Sequence, residues 1–185
     1  MCGIAGAVIW DSRYRLTRET LSRMSARIAH RGPDGEGFFL NHEAEPSPDR
    51  PQVGLAHRRL AILDPDPRAN QPFTDQNGRW IIFNGEIYNF RLLRAELEKL
   101  KPDYAWRTTG DTEALLVAYD VWGESFLDRL NGMYAFAIWD EPRKCLFLAR
   151  DRMGQKPLYY AAIARDGRPW LAISEDEAIE IDPSV

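Results

Sequence analysis

The 185-residue chain is short of cysteine, with only Cys2 and Cys145. Two thiols make no disulfide framework, and a reducing compartment fits best. Long apolar runs are missing as well: no stretch approaches the ~18 residues of a membrane helix, and Met133 to Trp139 is only strand-sized. The apolar start, Cys2 to Trp10, lacks a basic flank and meets Asp11, Arg13 and Arg15, so it does not read as a signal peptide. Residue 2 is not glycine, which excludes myristoylation. Nor is there an excess of positive charge. With 24 Lys plus Arg against 28 Asp plus Glu, the net charge of -4 argues against nucleic acid and anionic membranes as partners. A cytoplasmic protein is the expectation.

What remains is an ordinary globular composition, 44% hydrophobic and 28% charged, without repeats. A chain of this length buries roughly 70% of its unfolded surface, enough for one domain. Proline-rich segments, Asn41 to Gln52 and Asp64 to Pro72, read as surface loops. Strand patterns cover Gly3–Trp10, Gly37–Leu40, Val53–Leu63, Arg79–Phe83, Met133–Asp140, Lys144–Arg150, Pro157–Ile163 and Trp170–Ile173. Helical spacing marks Leu21, Met24 and Ile28; Phe90, Leu93 and Leu97; and Leu115, Ala118, Tyr119 and Trp122. This order lacks regular strand–helix alternation, so an α+β fold with antiparallel sheets is expected.

Cys2 carries the chemical interest. Were Met1 removed, the chain would begin with a thiol and a free α-amine in one residue. Such an amine, with a reference pKa of about 7.7–8.0, can serve as the base for its own sulfur. On position alone the plainer reading is a small apolar residue opening a buried strand. Asn84-Gly85 reads either as a hairpin turn or as a pair of oxyanion donors; Asn77-Gly78, just ahead of Trp80 to Phe83, takes the turn.

Cys2-Gly3-Ile4-Ala5-Gly6 resembles the start of class II glutamine amidotransferases, which are N-terminal nucleophile hydrolases. Further matches follow in order to about residue 175: His30-Arg31-Gly32-Pro33-Asp34, Ala56-His57-Arg58-Arg59-Leu60, Gln71-Pro72, Asn84-Gly85-Glu86-Ile87-Tyr88-Asn89, Asp111-Thr112-Glu113, Asn131-Gly132-Met133 and Arg150-Asp151-Arg152 through Tyr160. The set is most similar to the glutaminase half of glutamine-hydrolysing asparagine synthetases. The resemblance implies a four-layer αββα sandwich and hydrolysis of L-glutamine to L-glutamate and ammonia. It makes Cys2 the nucleophile and Asn84 and Gly85 the oxyanion donors. Substrate would be bound by Arg59, the run Leu60, Ala61, Ile62 and Leu63, and the carboxylates Glu86 and Asp111.

Each assignment has a plainer alternative. Arg59 could lie on a solvated strand face, although alternation lets only one of Arg58 and Arg59 enter a common site. Asp111 could be a helix N-cap, and Glu86 could pair with Arg91 or Arg94. His30, His42 and His57 show no metal-ligand spacing, and Cys145 reads as a buried inert thiol.

The domain is taken as residues 2–175, with an acidic tail at 176–185. No cofactor is expected for the glutaminase step. ATP and Mg belong to a synthetase domain, of which these residues carry no pyrophosphate-loop motif; that domain or subunit is the expected partner and ammonia acceptor. Two other readings stay open, a different N-terminal nucleophile amidohydrolase and a non-catalytic glutamine-binding module.

Overall fold

A computed structural model describes residues 1–75, 77–165 and 168–174; the tail expected at 176–185 lies outside the described residues. The elements are β1 (Gly3–Ile9), α1 (Arg18–Arg27), β2 (Gly35–Leu40), β3 (Gln52–Arg59), β4 (Phe73–Thr74), β5 (Arg79–Ile87), α2 (Phe90–Leu100), α3 (Asp111–Trp122), β6 (Gly132–Asp140), β7 (Cys145–Arg150), β8 (Tyr159–Arg165) and β9 (Arg168–Ser174). They form two antiparallel sheets, ordered β2-β3-β1-β9-β8 and β4-β5-β6-β7. Among the described residues no helix is long and apolar enough to cross a membrane.

Three apolar layers hold the sandwich together, because each sheet has one face toward the other and one toward helices. Between the sheets lie Ile4 and Val8 of β1, Val53 and Leu55 of β3, Ile82 of β5 and Trp139 of β6. Leu16 and Leu21 bury Ala7 and Ile9 on one outer face. On the other, Leu93, Leu97 and the α3 stripe cover Ile81, Phe83 and Phe136. Local signals set the ends: Thr17 caps α1 by accepting the Thr20 N–H at 3.1 Å, and Gly123 closes α3 at φ 57°. Gly78, at φ 87°, turns the chain into β5 as Asn77-Gly78 predicts.

Strand periodicity places the chemistry. Since Ile4 and Val8 point between the sheets, Cys2 is in phase with them; Val53 and Leu55 put His57 and Arg59 in the same layer; Ile82 does so for Asn84 and Glu86. The register pairs Ile4 with His57 and Gly3 with Arg58, so Cys2 stands beside Arg59, one step above the Ile4–His57 pair.

Several expectations need correction. The strand read as Val53–Leu63 ends at Arg59, beyond which Leu60 to Leu63 form a loop tied down by Arg59 itself. The strand read as Arg79–Phe83 continues to Ile87, because β6 pairs along its whole length and absorbs Asn84-Gly85. The short β4 was not legible, and β8 begins at Tyr159 rather than Pro157. Cys145 is half-buried rather than buried, since β7 is the edge strand of its sheet.

Candidate active site

A cleft opens where the ends of β1, β3 and β5 meet, lined by Cys2, Arg59, Asn84, Gly85, Glu86 and Asp111. The structure therefore brings together residues separated by up to about 110 positions in the chain. Leu60, Ile62 and Leu63 also line it, with Ile62 and Leu63 exposed at the rim. Ala61, the fourth residue of the expected run, is not among the lining residues; its N–H is bound to Asp34 Oδ2 at 2.9 Å.

The Cys2 sulfur is held by backbone. The Leu60 N–H points at Sγ from 3.3 Å, and the thiol lies 3.6 Å from the Leu60 carbonyl. Leu60 is seated by the His30–Asp34 motif, because Asp34 accepts the Ala61 N–H and gives its own N–H to the Arg59 carbonyl at 2.9 Å. Arg31 Nε donates to the Cys2 carbonyl at 3.2 Å. With Met1 attached, the Cys2 nitrogen is a peptide amide and offers no base. The Met1 side chain lies in the cleft, its Sδ 2.9 Å from Lys156 Nζ.

Arg59 and Arg58 part as alternation requires. Arg58 leaves the cleft for Ser25 and Glu36, at 2.8 Å each. Arg59 is buried; its Nη1 donates to the Asp66 carbonyl at 3.1 Å and to Asn70 Oδ1 at 2.6 Å, and Nη2 donates to the Asp64 carbonyl. Of five guanidinium donors, Nε–H and one Nη2–H have no partner among the described residues, and guanidinium N–H groups suit a carboxylate. Asp64 secures the loop from the other side by accepting from Thr109 N–H and hydroxyl, a contact that also holds its carboxyl below the usual range.

On β5, Asn84 is 2% exposed and faces the β1–β3 sheet. Gly85 is opposite Tyr134, whose N–H goes to Asp151 Oδ2 and whose carbonyl accepts from Asp151 N–H. That makes Gly85–Tyr134 a non-hydrogen-bonded pair, so the Gly85 N–H points to the free edge of β5. A side chain at Gly85 would put Cβ 2.2 Å from the Met133 carbonyl, which β6 cannot accommodate.

Asp111 opens α3 as its first residue, while Gly110 occupies the N-cap position expected for it. Its Oδ2 accepts the Ile87 N–H at 3.0 Å. Burial pushes its pKa up to about 6, with Glu86 adding like-charge repulsion and backbone donors opposing. Glu86 is exposed at the mouth, and neither expected partner binds it: Arg94 pairs with Glu98 at 3.0 Å, and Arg91 packs on the Phe90 ring.

Sequence reasoning missed Lys156, which is 4% exposed and lines the cleft with no carboxylate partner among the described residues. Asp151 positions it. Burial raises that carboxyl's pKa, but backbone donors from Gln155, Lys156, Tyr134 and Met153 outweigh burial and hold it low. Three of these N–H groups, those of Met153, Gln155 and Lys156, follow the aspartate within five residues, an Asp-centred turn inside the matched motif. Glu113 was also overlooked; fully buried, it accepts from Tyr104, Arg107 and Thr108 and seats Thr108 in the cleft wall.

The family described as a glutamine amidotransferase domain matches residues 1–185. The chain belongs to that family. It is 38% identical to asparagine synthetase [glutamine-hydrolyzing] 3 of Bacillus subtilis over all of this chain and 28% of that protein. A putative asparagine synthetase of Methanocaldococcus jannaschii is 34% identical over 97% of this chain and 35% of its own length. The chain thus spans about a third or less of these curated relatives. A solved glutamine phosphoribosylpyrophosphate amidotransferase of B. subtilis shares the fold, with TM-score 0.67 at 20% identity over 94% of this chain and 42% of that one. The amidotransferase domain accordingly has the expected αββα layering of two antiparallel sheets.

Proposed function

We propose that this chain, once Met1 is removed, hydrolyses L-glutamine to L-glutamate and ammonia through a thioester on Cys2. The observation that carries the reading is the Cys2 sulfur on the Leu60 N–H at 3.3 Å, in a cleft shared with Arg59 and Asn84. As sulfur attacks the amide carbon, the freed α-amine of Cys2 takes the thiol proton. Negative charge on the former carbonyl oxygen meets the Asn84 amide and the Gly85 N–H, donors of a kind worth roughly 3–4 kcal/mol each. Collapse breaks the C–N bond, and the amine returns its proton to the departing ammonia. Water adds to the thioester, giving glutamate and restoring the thiol. Arg59 takes the substrate α-carboxylate with Nε–H and Nη2–H; Asp111, with Glu86 outside it, takes the α-ammonium.

We assign the ammonia to a synthetase-type domain or subunit making asparagine, with ATP and Mg used there and no cofactor in this cleft. The reaction belongs in the cytoplasm, whose reducing poise keeps Cys2 a thiol. The test is labelling of the Met1-free chain by an electrophilic glutamine analogue, with ammonia release followed in parallel. Modification should fall on Cys2, be slowed by glutamine and vanish in Cys2→Ala together with turnover. Labelling at Cys145, or ammonia release that persists in Cys2→Ala, overturns the reading.

A further inference from the structure

β5 is paired on one side only where the cleft begins. β4 pairs with it no further than Phe73 with Ile81, so among the described residues the edge from Phe83 to Ile87 has no strand neighbour. Side chains substitute for the missing strand. The Phe83 N–H donates to Gln71 Oε1 at 2.6 Å, and the Ile87 N–H donates to Asp111 at 3.0 Å. The Phe83 carbonyl is 3.2 Å from His57 Nε2. A carbonyl only accepts, so Nε2 carries the proton. Burial, with the Arg59 charge nearby, brings the His57 pKa down to about 4, and the ring stays neutral at working pH.

His57 is 1% exposed and occupies β3 two residues before Arg59, opposite Ile4 and one layer beneath Cys2. Its contact crosses from the sheet that bears the sulfur to the strand that bears the oxyanion donors. We propose that His57 is a positioning residue: by donating to the Phe83 carbonyl it locks the Phe83–Asn84 peptide to β3 and so sets the distance between the Cys2 sulfur and the Asn84 and Gly85 donors. The peptide unit is planar, so fixing its oxygen also orients the Asn84 nitrogen and Cα. Such sites lose rate when loosened by roughly 0.5 Å. Arg59 and Asp111 are anchored through other contacts, so substrate binding does not depend on the same bond.

The inference rests on the glutaminase reading. Its test uses the Met1-free chain with His57→Leu, which has no donor; His57→Asn, whose amide is too short to reach Phe83; and His57→Gln, whose amide nitrogen reaches as far as Nε2. Single-turnover acylation by glutamine, steady-state kcat and KM, and glutamate affinity are measured. His57→Leu and His57→Asn should each lower acylation and kcat at least tenfold, with KM and glutamate affinity changed less than threefold, and His57→Gln should recover to within threefold of the parent. Should His57→Leu fail to fold, the Asn and Gln pair decides. Parent-like acylation in the broken variants, or losses in binding that match the loss in rate and that Gln does not repair, overturns the inference alone. A parent chain that releases no ammonia sinks the glutaminase reading and this inference with it.

Discussion

The two ends of β5 handle charge in opposite ways. At its start, Arg79 donates from Nη1 to Asp75 at 2.8 Å and forms ion pairs with Asp120 at 2.5 Å and, from Nε, with Asp140 at 3.6 Å. Lys101 shares Asp120, Tyr119 donates to Asp140 at 3.2 Å, and Asp75 also accepts the Asn77 N–H at 2.8 Å. Burial alone would lower the Arg79 pKa, but these carboxylates outweigh it and raise it. At the other end, six to eight residues along the strand, Asp111 is buried without a cation and Lys156 without an anion among the described residues. Charges that complete one another hold a fold; charges left incomplete await a guest.

The largest effect that sharpens this contrast is expected from Arg79→Met. It strands Asp75 and Asp140 in the interior and removes a partner of Asp120, and breaking a buried pair in this way costs about 3–5 kcal/mol. Chemical denaturation should show that loss, while glutaminase turnover below the melting transition stays within about twofold of the parent. A comparable loss of turnover in the still-folded variant would mean that the two ends are coupled rather than separate.

Much of this arrangement was legible because it follows from period two. Once Ile4, Leu55 and Ile82 are taken as core, Cys2, Arg59 and Asn84 must face the same layer, and Arg58 must not. The helices followed equally from spacing, whereas the order of strands within each sheet did not. What stayed hidden depends on long-range contacts. The two-residue β4 has too few residues to show a pattern, yet where it stops defines the free edge that exposes the Gly85 N–H. Leu60 to Leu63 looks like strand because it is apolar; only the Arg59 contacts with Asp64, Asp66 and Asn70 bend it into a rim. Lys156 carries an ordinary surface residue's composition, and its burial comes from the Asp151 turn folding against β6. His57 appeared as one more strand histidine until the second sheet supplied its acceptor.

Asp111→Asn should give the reverse of the Arg79 pattern, with binding lost and stability kept. The amide oxygen can still accept the Ile87 N–H, but it offers no charge to an ammonium, and hydrogen bonds to charged groups contribute about 1.5–3 kcal/mol. Glutamine affinity, measured in Cys2→Ala to prevent turnover, should fall on the order of 10- to 100-fold at about pH 8. The sign with pH follows from a folded-state pKa of about 6 against 3.8 unfolded. The folded chain holds this proton more tightly, so its contribution to stability is present below the unfolded value and lost as pH rises through about 6. Over that interval the parent should lose stability relative to Asp111→Asn, while its glutamine affinity rises as the carboxylate forms. An affinity equally pH-dependent in the Asn variant would remove Asp111 from the binding site.

The smallest effect, and the finest test of the comparison, belongs to Glu86→Gln. Glu86 is on the same β5 row as Asn84, but it is exposed at the mouth, where water screens it. A charge pair at 4 Å in bulk water is worth about 1 kcal/mol, so KM for glutamine should rise by less than about fivefold. The variant should also act at a distance. Burial is the main reason the Asp111 pKa is high, and Glu86 adds to it by repulsion. Removing that charge should move the rise in glutamine affinity to lower pH. A shift to higher pH, or a loss of affinity as large as that of Asp111→Asn, would mean that Glu86 rather than Asp111 is the principal counter-ion for the ammonium. The unpaired acid at this end of β5 would then be the exposed one, and the contrast with the Arg79 end would rest on solvent access instead of on missing partners.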